Sequence, residues 1–174
     1  PPPPPPAYTL DTSNRGKRFW VAYGHHYGFS SNSQDMVLYL SAQDSANVTV
    51  KVNGTNWVRN YAIPANSVRL SDLMPTSGLV DARITDEGHF NKGISIESDV
   101  PIVAYAHIYD GANSGAGLLL PTGTYGYEYK SLNSRQYYPT GGAGAYSWMM
   151  VIADRDSTLV EITPSVLTKG GRPA

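Results

Sequence analysis

Hydrophobic and polar residues alternate with a two-residue period along most of the chain, in short runs separated by Gly, Pro, Asn, Asp and Ser. This period is typical of half-buried β-strands, and no long run follows the 3.6-residue period of a helix. The predicted strands cover residues 18–26, 36–42, 47–52, 55–63, 67–73, 79–84, 93–98, 101–109, 125–132, 147–154 and 158–164. We therefore predict an all-β fold, an antiparallel β-sandwich of the jelly-roll kind.

The clearest turn signal is Asn53-Gly54, which lies between two alternating runs and predicts a type I′ hairpin. In that register Val50 lies opposite Trp57, while Thr49 and Lys51 face the other side of the sheet. The longest predicted loops cover residues 24–35, 85–92, 110–117 and 134–146. We expect these loops to lie at the ends of the sandwich.

An internal comparison suggests how the chain is divided. Residues 37–52 align without a gap with residues 149–164, and both segments read as strand, Asp-Ser turn and strand. We predict a proline-rich linker or cloning remnant at residues 1–13, a β-sandwich domain at 14–133, and a linker loop followed by the first strands of a second copy at 134–174. In that case the native protein continues into a second sandwich. The alternative is that the last strands complete the same sandwich.

Composition excludes several classes of function. The 174 residues carry 13 basic and 14 acidic side chains, and the only basic cluster is Arg15, Lys17 and Arg18. This cluster is too small for a surface that follows nucleic-acid phosphates. Cysteine is absent, which excludes disulfides, thiolate metal sites and a cysteine nucleophile. No apolar run reaches the roughly 20 residues of a membrane-spanning helix, so we expect no membrane insertion. The small basic cluster leads us to expect no nucleic-acid partner.

Two groups of residues are weak candidates for a metal site. His25 and His26 are adjacent, and successive side chains of a strand point to opposite faces, so both rings reach one ion only if the strand breaks at Gly24. Asp154 and Asp156 share one side of an extended chain, without the ligand spacing of an EF-hand loop. We expect these histidines and acids to be structural, and we expect no cofactor, with calcium as the remaining alternative.

Catalytic motifs are absent from the sequence. There is no G-x-S-x-G nucleophile elbow, and the glycine-rich runs lack the lysine and helix that follow a phosphate-binding loop. We therefore predict no catalytic residues and a protein that is not an enzyme.

Tyrosine is abundant, with 13 residues in the chain. Tyrosine suits half-exposed sheets, and it also supplies rigid contact area for recognition of protein or glycan. Some tyrosines alternate along predicted strands and others follow in a loop. The candidate ligand-binding residues are Tyr105, Tyr109, Tyr125, Tyr127, Tyr129, Tyr137 and Tyr138.

Several segments resemble the N-terminal domain of the IgGFc-binding protein family, in particular its bacterial, Bacteroidetes-type members. The most specific are "SDVPIVAYA" at 98–106, "LLLPTGTYGYEY" at 118–129 and "VIADRDSTLVEITPS" at 151–165, and the resemblance extends over about residues 14–172. It implies an extracellular, β-rich adhesion or recognition module within a longer secreted chain. It transfers no catalytic residue, and it does not by itself imply binding of IgG.

We therefore favour a non-catalytic recognition or adhesion module of a larger bacterial cell-surface or secreted protein, located outside the cell or on its surface. The expected partner is a protein or glycan on another cell, a host surface or the matrix. One alternative is a carbohydrate-binding accessory domain of a multidomain enzyme. Another is a structural subunit that assembles with copies of itself through exposed sheet edges.

Overall fold

The computed structural model describes residues 13–24, 34–111, 114–133 and 147–167. In these ranges seven strands form one antiparallel sheet, which confirms the predicted all-β antiparallel fold. The strands are β1 (Gly16–Val21), β2 (Asp35–Ala42), β3 (Ala46–Val52), β4 (Val58–Ile63), β5 (Ser67–Leu70), β6 (Ile94–Tyr109) and β7 (Ser114–Leu119). Two 3-10 helices cover Gly78–Val80 and Thr122–Thr124. Nowhere in the described ranges is a helix long and apolar enough to cross a membrane.

The sheet is organised around β6, which has 16 residues and four partner strands. Along its first part, Ile94–Ser98, β6 pairs with β1 on one side and β3 on the other. Along its last part, Ile102–Tyr109, it pairs with β7 and β2. β4 continues from β3, and β5 continues from β2. The strands therefore form a first half-sheet (β4-β3-β6-β1) and a second half-sheet (β5-β2-β6-β7) that share β6.

The sheet bends where one half passes into the other. Ala42 of β2 pairs with Ser67 of β5, and Ala46 of β3 pairs with Ile63 of β4. Three residues without a strand partner therefore lie between β2 and β3, and three more lie beside them between β4 and β5. The pairing with β6 is uneven at the same place. Five residues separate Ala42 from Val48, whereas three separate their partners on β6, Ile102 and Ser98. Extra residues on one strand bend a sheet and increase its twist. This corner folds the sheet until it nearly closes into a barrel.

The core lies inside this bend and receives side chains from both half-sheets. The inward positions of β3, from Ala46 to Val52, alternate with exposed positions. Burial of each valine of that strand contributes about 1.5–3 kcal/mol. The larger core side chains include Phe19, Leu38, Leu40, Val48, Val50, Tyr61, Ile63, Ile94, Ile96 and Ile102.

The β3–β4 hairpin is confirmed, but the predicted turn and register are wrong. Val50 pairs with Arg59 rather than Trp57, and the Val52 N–H donates to the Trp57 carbonyl at 3.2 Å. The loop therefore has four residues, 53–56, and only its glycine, Gly54, has a positive φ, whereas a type I′ turn requires two. A shift of two residues preserves the faces of a strand, so Thr49 and Lys51 are exposed as predicted.

Several predicted strands differ from the structure. The strands predicted at 93–98 and 101–109 belong to the single strand β6, which begins at Ile94. The 3-10 helix Gly78–Val80 covers the first two residues of the strand predicted at 79–84. β7 falls largely in the loop predicted at 110–117, because pairing with β6 outweighs its glycine-rich sequence.

The predicted strands 125–132, 147–154 and 158–164 are also wrong, since the structure describes these segments as irregular. They carry the alternating pattern, but a strand forms only beside a partner, and none is paired with them in the described ranges.

Candidate functional site

A row of exposed apolar side chains crosses the outward face of the second half-sheet. The cross-strand pairs place Leu70 beside Tyr39, Tyr39 beside Tyr105, and Tyr105 beside Leu118. All four side chains are substantially exposed, between 36% for Tyr39 and 49% for Leu70. We call these four residues the outer row. Adjacent strands lie about 4.8 Å apart, so the outer row spans about 14 Å.

His107 and Tyr109 extend this surface along β6, on the same face as Tyr105. The His107 ring lies 4.8 Å from the Tyr109 ring and 6.0 Å from the Tyr39 ring, measured between centroids. The His107 Nε2 atom is 2.7 Å from Ser114 Oγ of β7, within hydrogen-bond distance. These contacts fix the ring of His107 beside the outer row.

Charge is sparse across this face. The outward positions of its four strands are Val68, Leu70, Asp35, Val37, Tyr39, Ser41, Val103, Tyr105, His107, Tyr109, Ser114, Ala116 and Leu118. Only Asp35, at the start of β2, carries a formal charge at neutral pH with histidine neutral. Protein interfaces have a centre that is depleted in charge and enriched in tyrosine, with polar residues around it.

A groove of about 380 Å³ adjoins the outer row at the corner of the sheet. Ser41, Val68 and Val103 line it, and each lies two residues before or after a member of the outer row on the same face. Its other side is polar, with Arg15, Gln43, Asn66 and Ser67 among the lining residues. The groove and the outer row therefore form one continuous surface.

The predicted tyrosines divide between two places. Tyr105 and Tyr109 lie on the face of the outer row, as their common strand predicts. Tyr127 and Tyr129 are exposed in an irregular segment, and the Tyr129 hydroxyl accepts a hydrogen bond from the Gly126 N–H at 2.8 Å. Tyr137 and Tyr138 lie outside the described residues.

Tyr125 packs against the first half-sheet instead. Burial raises the pKa of Tyr125, and a hydrogen bond from the backbone of Trp20 opposes that rise. Tyr125 therefore packs against the sheet, whereas Tyr127 and Tyr129, which follow it, are exposed.

Asp154, a weak metal candidate, holds the same segment of chain against β1. Its Oδ1 accepts hydrogen bonds from Trp20 Nε1 at 2.6 Å and from Arg18 Nη2 at 3.2 Å. From the same segment, the indole ring of Trp148 packs against Gly24, where an added Cβ would collide with it. Asp154 thus has a structural role in this arrangement.

The other metal candidates are Asp156, His25 and His26. Asp156 is exposed, while His25 and His26 lie outside the described residues. Among the residues that the structure describes, no three His, Asp or Glu side chains are grouped closely enough to hold a metal ion.

A group of polar residues that the sequence did not suggest lies beyond the end of β1, where Tyr23 is buried and Asp81 and Arg83 are half-buried. Tyr23 is fully buried, and its hydroxyl has no hydrogen-bond partner among the residues that the structure describes. Burial, followed by the charge of Asp35, raises its pKa to about 12. Asp81 accepts two hydrogen bonds from the Arg83 guanidinium, at 2.8 and 3.0 Å, and these lower the pKa of that carboxyl.

The sequence missed three of the four residues of the outer row, namely Tyr39, Leu70 and Leu118. Each lies in an alternating run, but the runs are far apart in the chain and only their register brings the side chains together. The surface is about 14 Å by 20 Å, or about 300 Å², which is the size of the largest apolar patches on monomers, and these are often functional.

Fold and surface together are typical of an all-β binding or recognition module. A family model described as IgGFc binding protein matches residues 115–174, which confirms over this segment the family resemblance predicted from the sequence. No curated protein matches the chain. Among solved structures, the crystal structure of Thermotoga maritima 1070 aligns with a TM-score of 0.38 and 12% identity, over 63% of this chain and 95% of that one.

Proposed function

We propose that this chain is a non-catalytic protein-recognition module of an extracellular or cell-surface protein, and that the outer row contacts the partner. The single observation that carries the proposal is the unbroken register of Leu70, Tyr39, Tyr105 and Leu118 across four strands. A rigid sheet holds these side chains in place, so little conformational entropy is lost when a partner covers them.

A protein partner fits this surface better than a sugar does. Two of its four residues are leucines, and Val68 beside them is 61% exposed, whereas sugar recognition relies on aromatic rings and polar groups. The family match adds support, because the family takes its description from binding a protein, the Fc part of IgG. On the basis of the family resemblance, we also propose that the chain is part of a larger bacterial surface protein and that its role is adhesive.

The proposal is tested with a display library of random twelve-residue peptides and with purified IgG Fc as a second defined probe. Binding is measured for the unaltered chain and for a variant carrying Tyr39→Ser and Tyr105→Ser. We expect peptides enriched on the unaltered chain to lose at least tenfold in affinity for this variant, since truncation of central tyrosines at interfaces costs about 1–2 kcal/mol or more.

Leu79→Ser is the matched control, because Leu79 is 99% exposed and lies on a 3-10 helix away from the outer row. This variant is expected to bind as the unaltered chain does. Equal binding by the tyrosine variant, with its fold intact by circular dichroism, would rule out the outer row as the contact surface. Binding of oligosaccharides on an array that depends on Tyr105, with no peptide enriched, would favour the carbohydrate-binding alternative.

A further inference from the structure

We propose that the groove beside the outer row binds an acidic side chain of the partner protein, through Arg15. The inference deepens the proposed function and rests on it. It concerns the chemistry of the partner: a segment in which an Asp or Glu lies close to one or more apolar side chains.

Arg15 is held in place by neutral acceptors. Its Nη1 donates to Gln43 Oε1 at 2.6 Å, and its Nη2 lies 3.4 Å from the carbonyl oxygen of Pro101. No carboxylate within the described ranges forms an ion pair with it. The guanidinium therefore keeps its positive charge uncompensated while its position is fixed.

The composition of the groove favours an anion. Among the described residues that line it, Arg15 alone is charged and none is acidic. Around Arg15 lie Ser41, Gln43 and Asn66, whose hydroxyl and amide groups are able to donate hydrogen bonds. An arginine presents its N–H groups in a planar fork that matches a carboxylate, which strengthens and orients such a contact.

The distance to the outer row sets the spacing in the partner. Val68 and Val103 line the groove and lie two residues from Leu70 and Tyr105 on the same face. Two residues of a strand span about 7 Å. An acidic side chain in the groove therefore lies within one or two residues of an apolar side chain that covers the outer row.

The test uses the same display library of twelve-residue peptides. We expect enriched peptides to carry an Asp or Glu beside an aromatic or aliphatic residue. A synthetic enriched peptide is compared with its amide version, Asp→Asn or Glu→Gln, by titration against the unaltered chain and the Arg15→Gln variant. Each change alone is expected to weaken binding about tenfold, and the two together little more than either. The effect is expected to shrink with added salt.

Two further variants separate a loss of charge from a loss of fold. Val68→Glu places a carboxylate in the groove and is expected to lower the affinity for the acidic peptide. Val68→Lys is expected to leave that affinity unchanged or to increase it. Lys51→Gln, which removes a positive charge from the outward face of the first half-sheet, is the charge control and is expected to have no effect.

The outcomes distinguish the two proposals. Peptides that depend on Tyr105 but bind equally well to Arg15→Gln would overturn the role of Arg15 and leave the outer row as the contact surface. Peptides indifferent to both changes, or a library that yields no binder, would count against the proposed function as well. Enrichment without acidic residues would also overturn the inference.

Discussion

Asn47 binds the carboxylate of Asp99 through both of its nitrogen atoms. The backbone N–H donates to Oδ1 at 2.8 Å, and the side-chain Nδ2 donates to Oδ2, also at 2.8 Å. Asp99 lies where β6 passes from one half-sheet to the other, and Asn47 lies in the mismatched segment opposite. The pair therefore ties two strands together at the bend, where their backbone ladder is interrupted.

This pair predicts a loss of stability in acid. The hydrogen bonds from Asn47, first from its backbone and then from its side chain, lower the pKa of Asp99 below the ordinary value of 3.8. A lowered pKa in the folded state means that the ionised carboxylate stabilises the fold above the ordinary pKa. That contribution is lost as the pH falls through the lowered value.

Thermal unfolding measured between about pH 6 and about pH 2 tests this expectation. Asn47→Ala is expected to lower Tm at neutral pH and to reduce part of the further loss below pH 3.8, because it removes the side-chain hydrogen bond to Asp99 and keeps the backbone one. Asp44→Asn, in the adjacent exposed turn, is the control. An unchanged acid dependence in Asn47→Ala would contradict the role assigned to this pair.

Tyr23→Phe is expected to raise the free energy of unfolding by about 1 kcal/mol, because it removes a buried hydroxyl that has no partner within the described part of the chain. Tyr61→Phe is the matched comparison and is expected to lower it by about 1 kcal/mol, since the Tyr61 hydroxyl accepts a hydrogen bond from the Asp72 N–H at 3.1 Å. Chemical denaturation of both variants measures the difference.

Tyr23 also predicts a loss of stability in alkali. Its pKa is raised from 10.0 to about 12, so its neutral form stabilises the fold below pH 10 and this contribution is lost as the pH rises through the raised value. Tyr23→Phe is expected to lose less stability than the unaltered chain over this interval. An equal loss of stability in the two proteins would show that ionisation of Tyr23 does not destabilise the fold.

Gly54→Ala is expected to destabilise the β3–β4 hairpin by about 1–3 kcal/mol. Gly54 has a φ of +69°, and an added Cβ would lie 2.6 Å from the carbonyl oxygen of Asn91. Gly117→Ala in β7 is the control, because no atom of the described residues lies within 4 Å of its added Cβ. That variant is expected to be neutral or to stabilise by up to about 1 kcal/mol. Equal effects of the two substitutions would contradict the strain inferred at Gly54.

Asp154→Ala is expected to lower stability by about 1–2 kcal/mol and to increase proteolysis of residues 147–167, because Trp20 and Arg18 lose their shared acceptor. Asp156→Ala removes an exposed acid two residues away and is expected to change neither property. Limited proteolysis followed by mass spectrometry locates the cleavage. If both variants behaved alike, Asp154 would not anchor the segment.

The sequence predicts strands well where a single strand shows both a buried and an exposed face. β3 is the clearest case, since its alternation from Ala46 to Val52 appears unchanged in the structure. The hairpin that follows shows the limit of local signals. Asn53-Gly54 favours a two-residue turn, but the structure contains a four-residue loop because the pairing of Val50 with Arg59 sets the register.

The candidate site was harder to predict, because it depends on contacts between distant segments. Tyr105 was found from its strand, but its neighbours Tyr39 and Leu118 become neighbours only through pairing with β6. The tyrosines at 125, 127 and 129 show the opposite error. Their alternation predicts one common face, yet Tyr125 packs near Trp20 while the other two remain exposed in an irregular segment.

β6 runs without interruption through both half-sheets and hydrogen-bonds to four other strands. A force that pulls on β6 is therefore expected to act on the pairs of both half-sheets together. Since all seven described strands belong to this one network of pairs, we expect them to resist a pulling partner as one mechanical unit.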